Sequence, residues 1–111
     1  MKPRFKVWVV FGPRTKFGDG RARLLELIDR EGSIKKAVTR LGMSYRNAWG
    51  YLRELEAAAG FKLLERHPGG GAAGGTRLTK KGKRFLARYW RFKRGLDAVV
   101  DRHFATCFKK K

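Results

Sequence analysis

The chain has 111 residues, which is enough for one domain with one modest hydrophobic core. Apolar residues make up 42% of it, an ordinary globular proportion that argues against a wholly disordered chain. The 28 lysines and arginines far outnumber the 9 acidic residues, and the resulting formal charge of +19 favours polyanionic partners and salt-sensitive association.

The positive charge is concentrated at the two ends of the chain. Residues 1–17 carry five basic residues and no acid, and residues 76–111 carry thirteen basic and two acidic residues. Residues 18–75 carry ten basic and seven acidic residues. The central segment is therefore expected to be a folded unit with a mixed surface, and the flanks are expected to be phosphate-contacting or solvated faces.

The sequence offers no sign of catalysis, metal binding or membrane insertion. Cys107 is the only cysteine, so we expect no internal disulfide, a reducing cytoplasm, and a packed thiol rather than a nucleophile. His67 and His103 stand apart from other ligand-type residues, so neither a metal nor a cofactor is expected, and no catalytic set stands out. No apolar run approaches the roughly 20 residues that span a bilayer, and Phe5–Phe11 is too short for a signal-peptide core.

The first part of the chain predicts one strand and one helix. Apolar residues alternate along Phe5–Phe11, which indicates a strand that Gly12 and Pro13 end, and residues 14–18 are then expected to form a loop. Asp19 is predicted to be the N-cap of a helix that runs to about Arg30.

A helix-turn-helix is predicted at about residues 33–59. Ser33 and Ser44 are expected to cap its two helices, Gly42 to make the tight turn between them, and Gly60 to end the second helix. Small or branched apolar side chains fall on the inward faces, at Ala37, Val38, Leu41, Ala48, Tyr51 or Leu52, and Leu55.

The remaining residues predict a wing and a long last helix. Phe61–Arg66 and Thr76–Leu78 are expected to be the two strands of a hairpin at about residues 61–78. The glycine-rich run 69–75 lacks the Gly-Lys-Ser/Thr ending of a nucleotide-binding loop and is interpreted as the wing tip. Thr79 is expected to cap a helix over about 79–106, so the fold class is mainly α with a small β-sheet, a single winged helix-turn-helix domain over residues 1–111.

The second helix of the pair has the side chains that read DNA. Arg46 can pair bidentately with guanine and Asn47 with adenine, while Tyr45 or Trp49 can contact thymine methyl groups or phosphates. A core or dimer-interface role for Trp49 is equally open, and Tyr51 is interpreted as a packing residue. The predicted DNA-binding set is Ser33, Lys35, Ser44, Tyr45, Arg46, Asn47, Trp49, Gly50, Arg53, Arg66, His67, Arg77 and Lys80.

The last helix carries an apolar seam in steps of four and three residues. Its members are Phe85, Tyr89, Phe92, Leu96, Val99 and His103. The seam either covers the domain's own core or forms a two-fold interface. Because a helix of about 25 residues is longer than a three-helix core needs, we predict a dimer interface.

Two stretches resemble one family of regulators. The helix-turn-helix segments are Gly32-Ser33-Ile34-Lys35-Lys36-Ala37 and Leu41-Gly42-Met43-Ser44-Tyr45-Arg46-Asn47-Ala48-Trp49. They are similar to the N-terminal DNA-binding domain of the molybdenum-dependent regulator (ModE) family. The similarity continues through Leu64-Glu65-Arg66, the glycine-rich run and Arg77-Leu78-Thr79-Lys80-Lys81-Gly82. LysR-type regulators share a looser version of this pattern. The resemblance implies a homodimeric transcriptional regulator whose wing contacts the DNA backbone or minor groove and whose last helix helps to dimerise.

In the full-length members of that family an oxyanion-binding domain follows, whereas this sequence stops at Lys111, so the sequence does not support molybdate sensing by this chain. No small-molecule effector is evident from the sequence. The leading hypothesis is a cytoplasmic, sequence-specific regulator that binds double-stranded DNA as a homodimer and joins the nucleoid when bound. One alternative is a non-specific architectural DNA- or RNA-binding protein, and another is an adaptor whose aromatic last helix docks a protein. No enzyme activity is expected.

Overall fold

The computed structural model describes residues 1–67 and 75–109, which form four helices and two antiparallel hairpins. In chain order the elements are β1 (Val9–Phe11), β2 (Thr15–Phe17), α1 (Asp19–Glu31), α2 (Ile34–Leu41), α3 (Tyr45–Ala59), β3 (Leu64–His67), β4 (Gly75–Leu78) and α4 (Lys80–Phe108). β1 pairs with β2, and β3 pairs with β4. This architecture confirms the predicted class, a mainly helical winged helix-turn-helix with a long last helix.

The core is built around α1. Leu24, Leu25 and Ile28 on this helix are at most 1% exposed, and both later helices of the helix-turn-helix contribute fully buried residues to the same cluster. Those partners are Ala37 and Val38 from α2, and Ala48, Leu52 and Leu55 from α3. Removal of this apolar surface from water fixes α2 and α3 against α1.

Side-chain caps set the starts of the later helices, as the sequence predicts. The Ser33 hydroxyl accepts a hydrogen bond from the Lys36 amide at 3.1 Å, and Ser44 and Thr79 accept equivalent bonds from the amides three residues on. Gly42 has φ +67° in the turn between α2 and α3. Residues with a Cβ rarely adopt this left-handed backbone conformation.

The N-terminal strand prediction is wrong in extent. Only Val9–Phe11 of the predicted strand pairs, and its partner β2 lies in residues 14–18, which were expected to be a loop. Gly12, at φ +59°, turns the chain back instead of ending the sheet. Thr15 and Phe17 are buried on either side of the exposed Lys16, a period-two pattern too short to stand out in the sequence.

Asp19 is not the N-cap of α1, because Gly18 holds that position, and the start of α1 has no side-chain cap. The Asp19 carboxylate instead accepts hydrogen bonds from the Tyr89 hydroxyl at 2.5 Å and the Lys93 ammonium at 3.1 Å. Burial by itself would raise the pKa of Asp19, but these two donors outweigh it and hold the pKa below the ordinary value of 3.8. Burial and the adjacent carboxylate raise the pKa of Tyr89. The start of α1 is thereby tied to the middle of α4.

The N-terminal end of α4 is fixed to the two residues that precede β3, the first strand of the wing. The Thr79 amide donates to the Leu63 carbonyl at 2.9 Å, and the Thr79 hydroxyl donates to the Lys62 carbonyl at 2.6 Å. Gly82 is buried against the same place, since a Cβ on it would lie 2.5 Å from the Leu63 carbonyl oxygen. Only a glycine admits this approach of helix to strand.

The predicted seam of α4 divides between the domain's own core and solvent. Tyr89 is 3% exposed, and Phe85 packs its ring against Phe17 at 4.7 Å between centroids and also against Phe11 and Phe61. These two residues cover the core and are withdrawn from the predicted dimer interface. The later members differ: Phe92 and Val99 are 47% and 51% exposed, Leu96 is half-buried and His103 is exposed.

Cys107 is exposed, which contradicts the expected packed thiol. Its sulfur lies 3.6 Å from Nε2 of His103, one turn earlier on the part of α4 that runs past the core. Within the described residues, no helix is both long enough and apolar enough to cross a membrane.

Two glycines of α4 provide a matched test of the α4–wing contact. Gly82→Ala places a methyl group against the Leu63 carbonyl and should lower the free energy of unfolding by about 1–3 kcal/mol. Gly95→Ala meets no atom within 4 Å and should raise it by about 0.5–1 kcal/mol. Urea unfolding of both variants measures the difference, and an equal effect of the two substitutions would contradict the contact.

The Asp19 interaction predicts a defined acid sensitivity. Because the pKa of Asp19 is lower in the folded than in the unfolded state, its stabilisation is complete above the unfolded value near 3.8 and is lost as the pH falls through the folded pKa. Asp19→Asn should cost about 1 kcal/mol at pH 7, a figure reduced for partial exposure. The cost should shrink in acid.

Asp97→Asn is the control for this experiment, since Asp97, whose side chain is 49% exposed, pairs with the same Lys93 at 3.6 Å. This substitution should cost at most about 0.5 kcal/mol. Denaturant unfolding at pH 7 and at pH 3 measures both variants. A cost for Asp19→Asn that does not change with pH would refute the assignment.

Candidate nucleic-acid interface

One cleft joins the N-terminal ends of α2 and α3 to the base of the wing. Its lining residues are Gly32, Ser33, Ile34, Lys35, Tyr45, Arg66, His67, Gly75 and Thr76. Five of these belong to the predicted DNA-binding set: Ser33, Lys35, Tyr45, Arg66 and His67. The fold thus brings together side chains that lie up to 34 positions apart in the sequence.

The cleft is suited to an anion because the local backbone adds to its charge. Neither α2 nor α3 has an acidic residue in its first turn, where the unpaired amides of a helix are partly positive. Ser33 and Ser44 each satisfy one of those amides. Lys35 and Arg66 are exposed at the rim. Phosphate oxygens suit such a combination of amides, hydroxyls and cations.

The first three turns of α3 have a row of solvent-facing residues on the side opposite the buried ones. Ser44, Arg46, Asn47, Gly50 and Arg53 are exposed, as predicted. Within residues 1–67 and 75–109, the side chains of Arg46 and Asn47 form neither an ion pair nor a hydrogen bond. Their donors are therefore available to an external ligand.

Gly50 lies on the same exposed face, and a Cβ on it would meet no atom within 4 Å. Packing inside the domain therefore does not require a glycine here, although glycine disfavours a helix interior relative to alanine. A close approach by a ligand is one reason for a glycine at such a position.

Trp49 is held by a contact within the same helix. Its indole nitrogen donates to the Tyr45 hydroxyl at 2.6 Å, and its ring is half-buried against the core. Tyr45 is 45% exposed, and its hydroxyl hydrogen is left free to donate outward. Of the roles considered for Trp49, the structure shows packing, while Tyr45 remains accessible to a ligand.

Tyr51 supports α3 from the other side, in agreement with its interpretation as a packing residue. Its hydroxyl donates to the Lys16 carbonyl at 2.6 Å, and the Arg21 guanidinium lies 4.4 Å from the centre of its ring. Burial raises the pKa of Tyr51 to about 12. α3 is thus fixed to the first hairpin as well as to the core.

Two carboxylates that sequence reasoning missed position the wing. Glu56, on α3, accepts hydrogen bonds from the Leu63 and Leu64 amides at 2.8 and 3.0 Å, and Asp29, on α1, accepts one from the Leu78 amide at 3.0 Å. Acidic residues on helices often pair with a basic residue four positions along. In the described part of the chain only the Lys93–Asp97 ion pair has that spacing.

The remaining predicted residues lie outside the cleft. Arg77 is half-buried, and its guanidinium donates to the Asp29 carbonyl at 3.3 Å, so it braces β4 against α1. Lys80 is exposed at the first turn of α4 but does not line the cleft. Of the glycine-rich tip, only Gly75 lies within the described residues. It contacts the Gly32 carbonyl so closely that a Cβ would collide with it.

Comparison with known proteins places this geometry in a family. Residues 20–83 match the family described as bacterial regulatory helix-turn-helix protein, lysR family. The chain is 39% identical over 88 residues to the molybdenum transport protein ModE of Azotobacter vinelandii, with 79% of this chain and 33% of that protein covered. It is 41% identical over 69 residues to the transcriptional regulator ModE of Haemophilus influenzae, with 62% of this chain and 27% of that protein covered. The chain therefore spans a third or less of the length of these relatives.

The solved structures agree with the sequence comparison. The DNA-binding domain of CbnR in its complex with DNA superposes with a TM-score of 0.60 at 27% identity, covering 78% of this chain and 93% of that one. The BenM DNA-binding domain shares the fold, with a TM-score of 0.58 at 21% identity over 81% of this chain and 94% of that one. With α2 and α3 packed as a helix-turn-helix and followed by a wing, the chain belongs to the lysR family of bacterial regulatory helix-turn-helix proteins.

Proposed function

We propose that this chain binds specific sequences in double-stranded DNA and regulates transcription as a homodimer. The observation that carries the proposal is the exposed first turn of α3, where Arg46 and Asn47 have unengaged donors beside the cleft at the wing base. A helix presented in this way enters the major groove and reads base edges with its N-terminal residues.

The side chains divide naturally into two roles. Arg46 suits the O6 and N7 atoms of guanine, and Asn47 suits the N6 and N7 atoms of adenine. Ser33, Lys35, Tyr45, Arg66 and His67 line the cleft beside them and suit phosphates, which set register rather than sequence. The CbnR domain, of which this chain covers 93%, was solved bound to DNA, and this supports the same class of ligand here.

Arg46→Ala tests the reading role. The substitution should weaken binding to a selected site by about 1–3 kcal/mol and relax the preference at one base position, because a bidentate guanine contact is lost. Lys35→Ala should instead weaken all sequences to the same extent. Selection of bound sites from random duplexes, followed by titration at a fixed salt concentration, measures both effects.

Arg14→Ala is the charge-matched control, since it removes one exposed guanidinium at the first hairpin, away from the cleft. It should leave the base preference intact. If Arg46→Ala weakens every sequence equally, Arg46 contacts a phosphate and the reading assignment fails.

The homodimer is supported by the distal half of α4. The 29-residue helix is roughly 43 Å long, and beyond the core it exposes Phe92 and Val99 on the side where Leu96 is half-buried. Exposed apolar side chains that recur along one helix side suit a partner helix. Two-fold symmetry would then present two reading helices to half-sites about one DNA turn apart.

A double substitution tests the dimer. Phe92→Ser with Val99→Ser should convert a dimer to a monomer in sedimentation velocity, since each side chain loses the apolar surface that a partner would bury. The control is Val10→Ser, which alters a residue with a similar exposure of 54% on the first hairpin and should leave the sedimentation coefficient unchanged. A monomeric wild-type protein at micromolar concentration would count against the homodimer.

A second candidate function is sequence-independent DNA compaction or RNA binding, which the +19 charge favours. Equal affinity for unrelated duplexes with a steep salt dependence would support this alternative over the first.

A further inference from the structure

The solvent-facing side of α4 carries a line of basic residues that the reading site does not use. We define the α4 basic stripe as Lys80, Arg84, Arg88, Arg91 and Arg102. At 3.6 residues per turn these five fall within about a quarter of the helix circumference. They lie nearly opposite the buried Gly82, Leu86 and Tyr89.

The stripe is exposed and, among residues 1–67 and 75–109, it is not paired with an acidic side chain. All five side chains are exposed, and in the described residues none of them forms an ion pair or a side-chain hydrogen bond. The two acids of α4 lie elsewhere on the helix, and Asp97 pairs with Lys93, outside the stripe. The ordinary explanation of a charged helix face, neutralisation by i,i+4 partners, does not apply here.

The fold gains nothing from this arrangement. Lys80–Arg84 and Arg84–Arg88 are like-charge pairs at spacing i,i+4, and Arg88–Arg91 is one at i,i+3. Each such pair disfavours an isolated helix by about 0.2–0.5 kcal/mol. The side of α4 that packs on the core is opposite, so burial does not offset this repulsion. A bound polyanion would offset the repulsion.

The composition and length of the stripe indicate which polyanion. Four of the five residues are arginines, whose planar guanidinium groups bind phosphates bidentately. Lys80 and Arg102 are separated by roughly 33 Å along the helix, close to one turn of duplex DNA at about 34–36 Å. Between Arg91 and Arg102 the exposed positions on this side are the small Gly95 and Ala98. Guanidinium groups lined up along one exposed helix side suit the phosphate backbone of a duplex.

The stripe is separate from the cleft described above. No residue of α4 is among those that line the cleft between α2, α3 and the wing. We propose that the α4 basic stripe binds the phosphate backbone of a second double-stranded DNA segment, so that the protein holds two duplexes together. The inference rests on the proposed function in one respect, namely that the reading helix occupies the first duplex.

A two-duplex capture assay tests the proposal. A surface-bound duplex with a selected site is saturated with protein and washed, and a labelled duplex of unrelated sequence is then added. The stripe variant is Arg84/Arg88/Arg91/Arg102→Ala, in which alanine preserves the helix propensity and circular dichroism verifies the helix content. The control variant is Lys2/Arg4/Lys6/Arg14→Ala, which removes the same charge from exposed residues outside α4.

The wild type and the control should capture the second duplex, while the stripe variant should capture it at least about tenfold less and still bind the surface-bound site. A plot of log capture against log salt concentration has a negative slope, and its magnitude should be smaller by about 3–4 in the stripe variant, as expected for four lost phosphate contacts. Failure of the proposed function is seen separately, as absence of site preference in the first binding step.

Three outcomes would overturn the inference. Equal loss of capture in both variants would indicate that the total positive charge of the protein, rather than the stripe, holds the second duplex. Full capture by the stripe variant would indicate that the second reading helix of a dimer holds the second duplex. Weaker binding of the stripe variant to one long duplex, with no capture of a second by the wild type, would place the stripe on flanking DNA.

Discussion

The geometry of the candidate interface depends on the way α3 is joined to the wing, and the Glu56 carboxylate makes this connection. Glu56 lies on α3, and its carboxylate accepts hydrogen bonds from two consecutive backbone amides at the start of the wing, at 2.8 and 3.0 Å. A charged acceptor that binds two amides is stronger than a neutral one, and its removal would leave two half-buried donors unpaired. The cleft has two walls in a fixed relation because α3 and the wing are joined at this point.

The unusual charge balance is compatible with the fold because of how the acids are used. Asp19, Asp29 and Glu56 bind a tyrosine hydroxyl, a lysine or backbone amides inside the domain rather than neutralising surface arginines. Three of the nine acidic residues are thus engaged in tertiary structure, and neither the residues that line the cleft nor those of the α4 basic stripe include an acid. Stability and affinity for polyanions are therefore provided by different residues.

How much the sequence could predict depended on the distance between interacting partners. Ser33, Ser44 and Thr79 were predictable as caps because each bonds an amide only three residues away. The bonds of Asp19 and Asp29 cross 70 and 49 positions, and no local pattern marks them.

Spacing alone also could not separate two kinds of apolar contact. Phe85 and Tyr89 share the heptad spacing of Phe92 and Val99, yet the first pair covers the domain's own core and the second pair faces solvent. The exposed row Arg46, Asn47 and Gly50 was predictable from helical period. The hydrogen bond from Arg77 to the Asp29 carbonyl was not predictable, since it depends on where β4 meets α1.

The junction at Thr79 and Gly82 has a mechanical consequence. The last helix meets the wing through two hydrogen bonds and a contact that leaves no room for a methyl group. Because Tyr89 and Lys93 also tie the middle of α4 to α1, a partner that tilts the roughly 22 Å of helix beyond Lys93 would pull on α1 and on the wing together.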